Sequence, residues 1–270
     1  MCPARTVLIT GCSVGGIGHA LAEEFHAKGL QVIATARRMD AMEQLAKKGI
    51  ETLELDVTNA ESIRKVHGRV AEMTYGRLDI LVNNAEVKAV FEVNLFAVMA
   101  MVQAFSGLLV ASGDGRIVNI GSIAGVMPYP FGSVYNASKA ALHAYGDTLR
   151  LELAPLGIKV ITIVTGGVAS NIANNPRYIL PSSMYEPISE IYAERRARRS
   201  QQGALPTSTY AQRVVAQTLK RSPVAWFWTG SFSRICWFLS TFGSRRAFDW
   251  LFSWNFGLNI LRDKVGKKSR

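Results

Sequence analysis

Short apolar segments alternate with helical segments along most of this chain. Because each helical segment returns the chain to start another strand, the alternation predicts a doubly wound α/β domain: one parallel sheet with helices on both faces. Residues 1–230 are predicted to form this domain, and residues 231–270 an aromatic and basic helical extension. The predicted strands are TVLIT, LQVIATA, IETLELD, LDILVNN, RIVNIGS, KVITIV and, at residues 225–230, AWFWTG.

Charge is distributed unevenly over the 270 residues, whose formal net charge is +11. Residues 1–176 carry 15 lysines and arginines against 15 acidic residues, whereas residues 177–270 carry 16 against 5 and hold all five tryptophans. Aromatic and basic residues together suit an anionic membrane surface or an anionic substrate. Nucleic acid is not the expected partner, because no helix-turn-helix, zinc-finger or RNA-binding signature accompanies the charge.

Cysteine and histidine usage indicates the compartment and argues against a metal site. The three cysteines show no CxxC spacing, and no charged-then-apolar leader precedes the first strand, which predicts an intracellular protein. The four histidines lack the short spacings of zinc ligands, so no metal is expected. These residues are Cys2, Cys12, Cys236, His19, His26, His67 and His143.

A glycine-rich turn, TGCSVGGIGHALAEEF, follows the first strand and begins a helix. Gly11 permits a tight turn, while Gly16 and Gly18 allow a pyrophosphate and the neighbouring strand to approach the helix start. Free N–H groups there attract anions. The position after the first strand therefore predicts a Rossmann-like dinucleotide site, with Ser13 and Ile17 as further cofactor contacts.

The end of the second strand selects the nucleotide. An acidic residue there would bind a ribose hydroxyl and repel a phosphate, but this chain has Arg37 and Arg38. Arginine suits the 2′-phosphate of NADP, so NADPH is the predicted cofactor; the alternative is a solvated arginine pair. Asp56, at the end of the third strand, is predicted to lie near the adenine.

The reactive residues lie in NIGSIAGVMPYPFGSVYNASKAALHAYG. Tyr135 and Lys139 are four residues apart on a predicted helix and hence neighbours. A nearby ammonium stabilises tyrosinate, which lowers a phenol pKa that is ordinarily about 10. Ser122 ends the preceding strand at its carboxyl end, where ligands bind in open parallel sheets. The three side chains predict proton exchange with a substrate oxygen.

Together, TGCSVGGIG, NNA, Ser122 and YNASK resemble the short-chain dehydrogenase/reductase family over essentially the whole chain. The resemblance implies that Tyr135 transfers the proton, Ser122 orients the carbonyl, Lys139 also binds the nicotinamide ribose, and Asn94 supports a proton relay. It further implies cofactor contacts from three residues: Asn84, Val168 and Ser170. GCSVGGIG, VTGGVASNIANN and the C-terminal aromatic segment are similar to fungal NADPH-dependent 1-acyldihydroxyacetone-phosphate reductases, and fungal secondary-metabolite reductases share this framework.

One segment, NNAEVKAVFEVN, departs from the family pattern. Glu86 replaces the usual glycine, and most of a loop and the first turns of a helix are absent. The 31 residues between Asn84 and Arg116 still exceed the dozen or so that a parallel crossover needs, so the sheet is expected to close. We expect a more open or weakened site and a weakened homodimer, arising from a real adaptation or an error in the coding sequence.

These observations predict an NADPH-dependent ketoreductase for a lipophilic ketone. The substrate is either 1-acyldihydroxyacetone phosphate or a secondary-metabolite intermediate, of polyketide or terpenoid type. Arginines between residues 174 and 205 are either phosphate ligands or a solvated face. Two other classes stay open: a catalytically weakened dinucleotide-binding paralogue and a membrane-associated structural protein.

The C-terminal segment has two interpretations. It contains no apolar run of the roughly 20 residues that span a bilayer. Its apolar residues at helical spacing predict one of two arrangements. The first is a core-facing helix that closes the cleft or contacts a second subunit, and the second is a pair of interfacial helices on a membrane, with the tryptophans at headgroup depth. The second reading places the protein on the endoplasmic reticulum or a lipid droplet rather than in the cytosol. The apolar positions are Ala247, Leu251, Trp254, Leu258 and Leu261, widened by Phe248 and Phe252; the proposed lipid contacts are Lys264, Lys267, Lys268 and Arg270.

Overall fold

A computed structural model describes residues 4–84, 90–170, 179, 183–196, 203–244 and 246–268. Seven parallel strands form one sheet in the order β3-β2-β1-β4-β5-β6-β7, so the predicted doubly wound α/β fold is confirmed. The order reverses direction between β1 and β4, which is where open α/β sheets bind ligands. The strands are β1 Thr6–Thr10, β2 Gln31–Ala36, β3 Glu51–Glu54, β4 Ile80–Asn83, β5 Arg116–Ile120, β6 Lys159–Thr165 and β7 Trp226–Thr229.

Helices cover both faces of the sheet. Helices α1 and α7 bury Leu21, Phe25 and Val214 against one face, whereas α3, α4 and α5 bury Val66, Phe105 and others against the opposite face. The inner strands β2, β1, β4, β5 and β6 are buried on both sides and are largely apolar for that reason, whereas the edge strands β3 and β7 are partly exposed. The helices are α1 Ile17–Ala27, α2 Glu43–Lys47, α3 Ala60–Met73, α4 Ala97–Ser112, α5 Ser133–Leu153, α6 Ser189–Ile191, α7 Thr207–Thr218, α8 Ser233–Phe242, α9 Asp249–Asn255 and α10 Leu258–Lys268.

The start of α3 differs by one residue from the sequence pattern. The spacing of Thr58 and Glu61 predicts a capping box with Thr58 as the cap. In the structure Asn59 is the cap, and its side chain accepts hydrogen bonds from the Glu61 and Ser62 amides. Thr58 instead donates to the Asp56 carboxylate through both its amide and its hydroxyl. The predicted cap at Thr58 is wrong because the Thr58 hydroxyl is already hydrogen-bonded to the Asp56 carboxylate.

The short crossover still connects β4 to β5. These strands pair in parallel, and a π-helical turn at Glu92–Phe96 leads directly into α4. Residues 85–89, including Glu86, lie outside the described residues. Within the described part of the chain, Glu92–Ser112 is the helical run long and apolar enough to cross a membrane. Its buried face packs against the sheet, as in a crossover helix. Subunit pairing through α4 stays a prediction.

The extension forms three short helices, so the prediction of one continuous apolar stripe from Ala247 is wrong. Gly257, with φ of +70°, breaks the helix between α9 and α10. Phe248 and Phe256 are buried, whereas the predicted stripe residue Trp254 is 60% exposed. Phe248 packs with Cys236 against Met127. The extension therefore covers the chain segment between Ser122 and Tyr135.

Candidate active site

The glycine-rich turn connects the end of β1 to the start of α1. Gly11 has φ of +74° and Gly15 has φ of +75°, a conformation in which a side chain would be strained. Gly16 is the N-cap of α1 and supplies no side-chain cap, so the first N–H groups of the helix are available to a ligand such as a pyrophosphate. Ser13 is exposed and Ile17 begins α1. The requirement for Gly15 was missed from sequence.

Asn84 joins the ends of the two strands at the reversal of the sheet. Its side-chain amide donates to the carbonyl oxygens of Thr10 and Gly11 at 2.9 and 3.0 Å. A Cβ atom on Gly18 would lie 2.5 Å from both the Gly11 oxygen and Asn84 Nδ2. Gly18 is therefore required for the helix to pack against the strand ends. The arrangement provides the cradle that a dinucleotide needs.

Replacement of Gly18 tests this cradle. We expect Gly18→Ala to reduce dinucleotide affinity and to lower the free energy of unfolding by about 1–3 kcal/mol, because the added methyl group overlaps backbone atoms. Gly68→Ala is the matched control, since Gly68 lies within α3 and its Cβ would meet nothing within 4 Å. The control should be neutral or slightly stabilising. Equal stability and equal NADPH affinity in the two variants, measured by urea unfolding and fluorescence titration, would contradict the assignment.

Arg37 and Arg38 follow β2 and are exposed. Arg37 is close enough to Asp56 that its charge helps to lower the pKa of that carboxyl, after the larger effect of the two Thr58 hydrogen bonds. Arg38 Nε lies 3.4 Å from Asp40, a surface ion pair that contributes little stability. Both guanidinium groups therefore remain accessible to an anionic ligand beside Asp56.

Tyr135 and Lys139 lie on α5 where this helix contacts the end of β5, two residues before Ser122. Lys139 is 7% exposed, and its ammonium donates to the Ile120 carbonyl at 3.1 Å while lying 5.8 Å from the centroid of the Tyr135 ring. Ser122 begins a short 3-10 turn, Ile123–Gly125, and its hydroxyl accepts a hydrogen bond from the Ala124 amide. The Lys139 ammonium therefore lies near the Tyr135 ring, as the spacing of four residues on α5 predicts.

Asn94 lies in the π-helical turn and contacts α5 from the side. Its side-chain nitrogen donates to Oγ of Ser138 at 2.9 Å. Ser138 is the residue that precedes Lys139 on α5. Its Oδ1 is buried and has no hydrogen-bond partner among the described residues. A buried acceptor without a partner usually has a role with water or ligand, and π-helical turns are frequent at functional sites. Both features fit the predicted proton relay.

Val168 and Ser170 follow β6. Val168 is 5% exposed and forms a parallel bridge with Leu205, while Ser170 is partly exposed at a bend. Residues 171–178, which follow, lie outside the described residues. The fold thus brings all the predicted site residues to the carboxyl edge of the sheet, from strands β1 to β6. Their roles in binding and catalysis stay predictions.

From sequence, His143 is predicted only not to be a metal ligand. In the structure its imidazole is buried, and Nε2 accepts a hydrogen bond from the Ser122 amide at 3.2 Å. The available signal was its spacing, four residues after Lys139 and eight after Tyr135, which places the three residues on one face of α5. Spacing alone did not reveal which strand end this face contacts.

The fold and the site define a class: an oxidoreductase with a dinucleotide-binding doubly wound domain and a Ser–Tyr–Lys site. The family profile for "short chain dehydrogenase" matches residues 5–178. The chain belongs to this family, whose members act on CH–OH groups.

Curated relatives support this membership over nearly the full length. The chain is 46% identical over 281 residues to short-chain dehydrogenase srdE of Neurospora crassa, covering 97% of this chain and 96% of the relative. It is 44% identical over 212 residues to the NADPH-dependent 1-acyldihydroxyacetone phosphate reductase of Schizosaccharomyces pombe, covering 71% of each protein. The srdE alignment is longer than the 270-residue chain, so that relative contains residues that have no counterpart here.

Solved structures agree with the fold. A short-chain dehydrogenase from Streptomyces avermitilis superposes with a TM-score of 0.76 at 27% identity, covering 100% of both chains. The closed form of serine dehydrogenase complexed with NADP+ gives a TM-score of 0.70 at 25% identity, covering 84% of this chain and 94% of the other.

Proposed function

We propose that this protein is an NADPH-dependent reductase that converts a lipophilic ketone to a secondary alcohol. The observation that carries the proposal is the burial of Lys139 between the Tyr135 ring and the carbonyl of Ile120, which lies two residues before Ser122. When bound, the nicotinamide supplies a hydride to the carbonyl carbon. Ser122 holds the substrate oxygen, Tyr135 gives it a proton, and the Lys139 ammonium stabilises the resulting tyrosinate. Asn94 supports proton return through its Oδ1, which has no hydrogen-bond partner among the described residues.

Two observations support NADPH over NADH. Arg37 and Arg38 are exposed after β2, and arginine is suited to binding a phosphate through several parallel hydrogen bonds. The relative from Schizosaccharomyces pombe is named as NADPH-dependent. The residues that would hold the dinucleotide are Gly11, Ser13, Gly16, Ile17, Gly18, Arg37, Arg38, Asp56, Asn84, Tyr135, Lys139, Val168 and Ser170.

Aromatic rings around the segment that precedes α5 support a lipophilic substrate. Phe131 makes edge-to-face contacts with Tyr185 and Tyr192 at centroid distances of 5.3 and 5.2 Å. Tyr129 makes such a contact with Phe256 at 5.1 Å. Phe131 lies four residues before Tyr135, so we infer that this aromatic cluster borders the approach to the phenol. Apolar walls of this kind bind apolar ligands.

Substrate identity is proposed in two forms. The named activity of the Schizosaccharomyces pombe relative favours 1-acyldihydroxyacetone phosphate. The alternative, which comes from the sequence resemblance, is an intermediate of fungal secondary metabolism. The arginines between residues 174 and 205 that are proposed as phosphate ligands occupy positions 177, 195, 196, 198 and 199, whose side chains fall outside the described ones.

Purified protein tests the proposed reaction. NADPH oxidation would be followed with acyldihydroxyacetone phosphate, with aromatic polyketide-type ketones and with short-chain ketones as controls. We expect turnover with one lipophilic ketone class, greater with NADPH than with NADH. Tight NADPH binding without turnover of any ketone would instead support the catalytically weakened paralogue.

We further propose that α8 and α9 lie on an anionic membrane surface, which would bring the site to a membrane-dissolved ketone at the endoplasmic reticulum or a lipid droplet. Large apolar side chains that are exposed in this region support the proposal, and residues 231–270 contain eight lysines and arginines against two aspartates. Such a composition is typical of interfacial helices. The exposed side chains are Phe232, Ile235, Trp237, Phe238, Phe242, Trp250, Leu251, Trp254 and Ile260.

Surface substitutions test the membrane contact better than deletion of the extension, because deletion would also remove the buried Phe248 and Phe256. Polar replacement of Trp237, Phe242 and Trp250 should weaken sedimentation with phosphatidylserine-containing vesicles by at least about tenfold, since each large apolar side chain contributes about 1.5–3 kcal/mol when buried. Polar replacement of Tyr75, Leu151 and Leu156, exposed elsewhere, is the matched control. The same binding in both variants, or none in the unmodified protein, would refute the contact.

A further inference from the structure

One histidine lies directly beneath the catalytic serine turn. His143 is 3% exposed and lies on α5, one turn after Lys139. Its Nε2 accepts a hydrogen bond from the backbone amide of Ser122 at 3.2 Å. The contact is between a helix side chain and the backbone of the residue whose hydroxyl is proposed to bind the substrate oxygen.

Two glycines make room for the imidazole. A Cβ atom on Gly121 would lie 2.3 Å from His143 Nε2, and a Cβ atom on Gly125 would lie 2.7 Å from His143 Cε1. Any other residue at either position would displace the ring. The ring therefore packs against Gly121 and Gly125, which flank the Ser122 turn. A shift of the turn would require a shift of the ring, and the reverse is also true.

The opposite side of the ring is also held. Trp226, in β7, packs against the imidazole at a centroid distance of 4.9 Å. The Trp226 indole donates to Asp147 Oδ1 at 2.7 Å, and Asp147 lies one turn after His143 on α5. The imidazole is thus confined between the Ser122 turn and an indole that is itself anchored to the same helix.

The imidazole is neutral at physiological pH. Burial, and to a smaller extent the Lys139 charge, lower the pKa of His143 to about 4. Because Nε2 accepts a hydrogen bond from an amide, the proton lies on Nδ1, which has no partner among the described residues. A neutral ring with this tautomer can act as an acceptor but not as a donor at Nε2.

We propose that His143 is a positioning residue that fixes the Ser122 turn against α5, and thereby holds the serine hydroxyl in register with Tyr135. Lys139 makes a parallel contact by donating to the Ile120 carbonyl. The end of β5 is thus attached to α5 at two points, two residues apart in the strand and four apart in the helix. The inference rests on the proposed reductase function.

Two amide substitutions separate positioning from mere packing. In His143→Gln the side-chain oxygen can reach the position of Nε2 and accept from the Ser122 amide. In His143→Asn it reaches only the position of Nδ1, so the amide loses its acceptor. We expect the Asn variant to lose at least about tenfold in kcat with an unchanged dissociation constant for NADPH, and the Gln variant to recover most of that loss. If the Asn variant does not fold, His143→Leu replaces it.

A double-substitution cycle identifies the serine as the residue being positioned. In a Ser122→Ala background the hydroxyl is absent, so His143→Asn should cause little further loss of kcat; interacting residues show such non-additivity. The same fractional loss in both backgrounds would overturn the proposal, as would equal kcat in the Asn and Gln variants. His67→Asn is the matched control for histidine replacement, since His67 packs on Phe105 in a different part of the fold.

Amide hydrogen exchange provides a readout that does not require turnover. The Ser122 amide should exchange slowly in the unmodified protein and in His143→Gln, and faster in His143→Asn. Equal exchange in the two variants would overturn the inference. An unmodified protein with a slowly exchanging Ser122 amide but no NADPH-dependent reduction of any ketone would instead refute the proposed function, so the two failures are distinguishable.

Discussion

Tyr135→Phe should abolish ketone reduction while NADPH binding remains nearly intact. The substitution removes only the phenolic oxygen, and the ring that Lys139 approaches to 5.8 Å is retained. General acid catalysis typically contributes 10²- to 10⁴-fold to the rate. We therefore expect kcat to fall by about this factor, measured as NADPH oxidation with the best ketone substrate.

The control for this prediction is Tyr145→Phe on the same helix. Tyr145 lies on α5 and packs against the hydrophobic core that α4 and α5 share. Burial, together with the nearby Glu152, raises the pKa of its phenol. Tyr145→Phe should keep most of the activity. If Tyr135→Phe also kept most of it, another residue would supply the proton and the assignment of Tyr135 would be wrong.

Replacing Arg37 and Arg38 together by alanine should weaken NADPH binding by about 100-fold and NADH binding by no more than about threefold. Hydrogen bonds to charged groups contribute about 1.5–3 kcal/mol each, and the 2′-phosphate exists only in NADPH. The dissociation constants of both nucleotides, measured by fluorescence titration at fixed ionic strength, give the ratio directly.

The control for this prediction changes an acidic neighbour of Arg38 rather than either arginine. Arg38 also pairs with Asp40 at 3.4 Å, whereas Arg37 lies beside Asp56. Asp40→Asn is the matched control, since it frees Arg38 without removing a cation and should leave NADPH binding unchanged or slightly stronger. Equal weakening of NADPH and NADH in the double variant would indicate a general folding effect. A preference of the unmodified protein for NADH would refute the proposed selectivity.

Much of the architecture was predictable because it depends on local and periodic signals. Each of the seven predicted strands is present, and the inner ones were recognisable because strands buried on both faces are largely apolar. Gly11 and Gly18 were identified because a turn with positive φ and a close helix–strand contact each exclude a side chain. Tyr135 and Lys139 were placed on one face of α5 because helical spacing fixes their relation.

The extension shows where periodicity was insufficient. A stripe of apolar residues from Ala247 suggested one helix, but Gly257 adopts φ of +70° and breaks it. Phe248 and Phe256 are buried while Trp250 is 78% exposed. Aromatic residues occur on several sides of this segment, so only packing against Met127 and its neighbours decides which side is covered.

By itself the sequence determined the order of strands and helices, the glycine turn, the arginine pair after β2 and the Tyr–Lys spacing, because each depends on residues close together in the chain. Tertiary structure decided the contacts between distant segments. It placed His143 under Ser122 and Asn84 across the ends of β1 and β4, and it left Asn94 Oδ1 buried without a partner among the described residues. Such contacts depend on strand order and on the packing of α5 against β5, which no local pattern encodes.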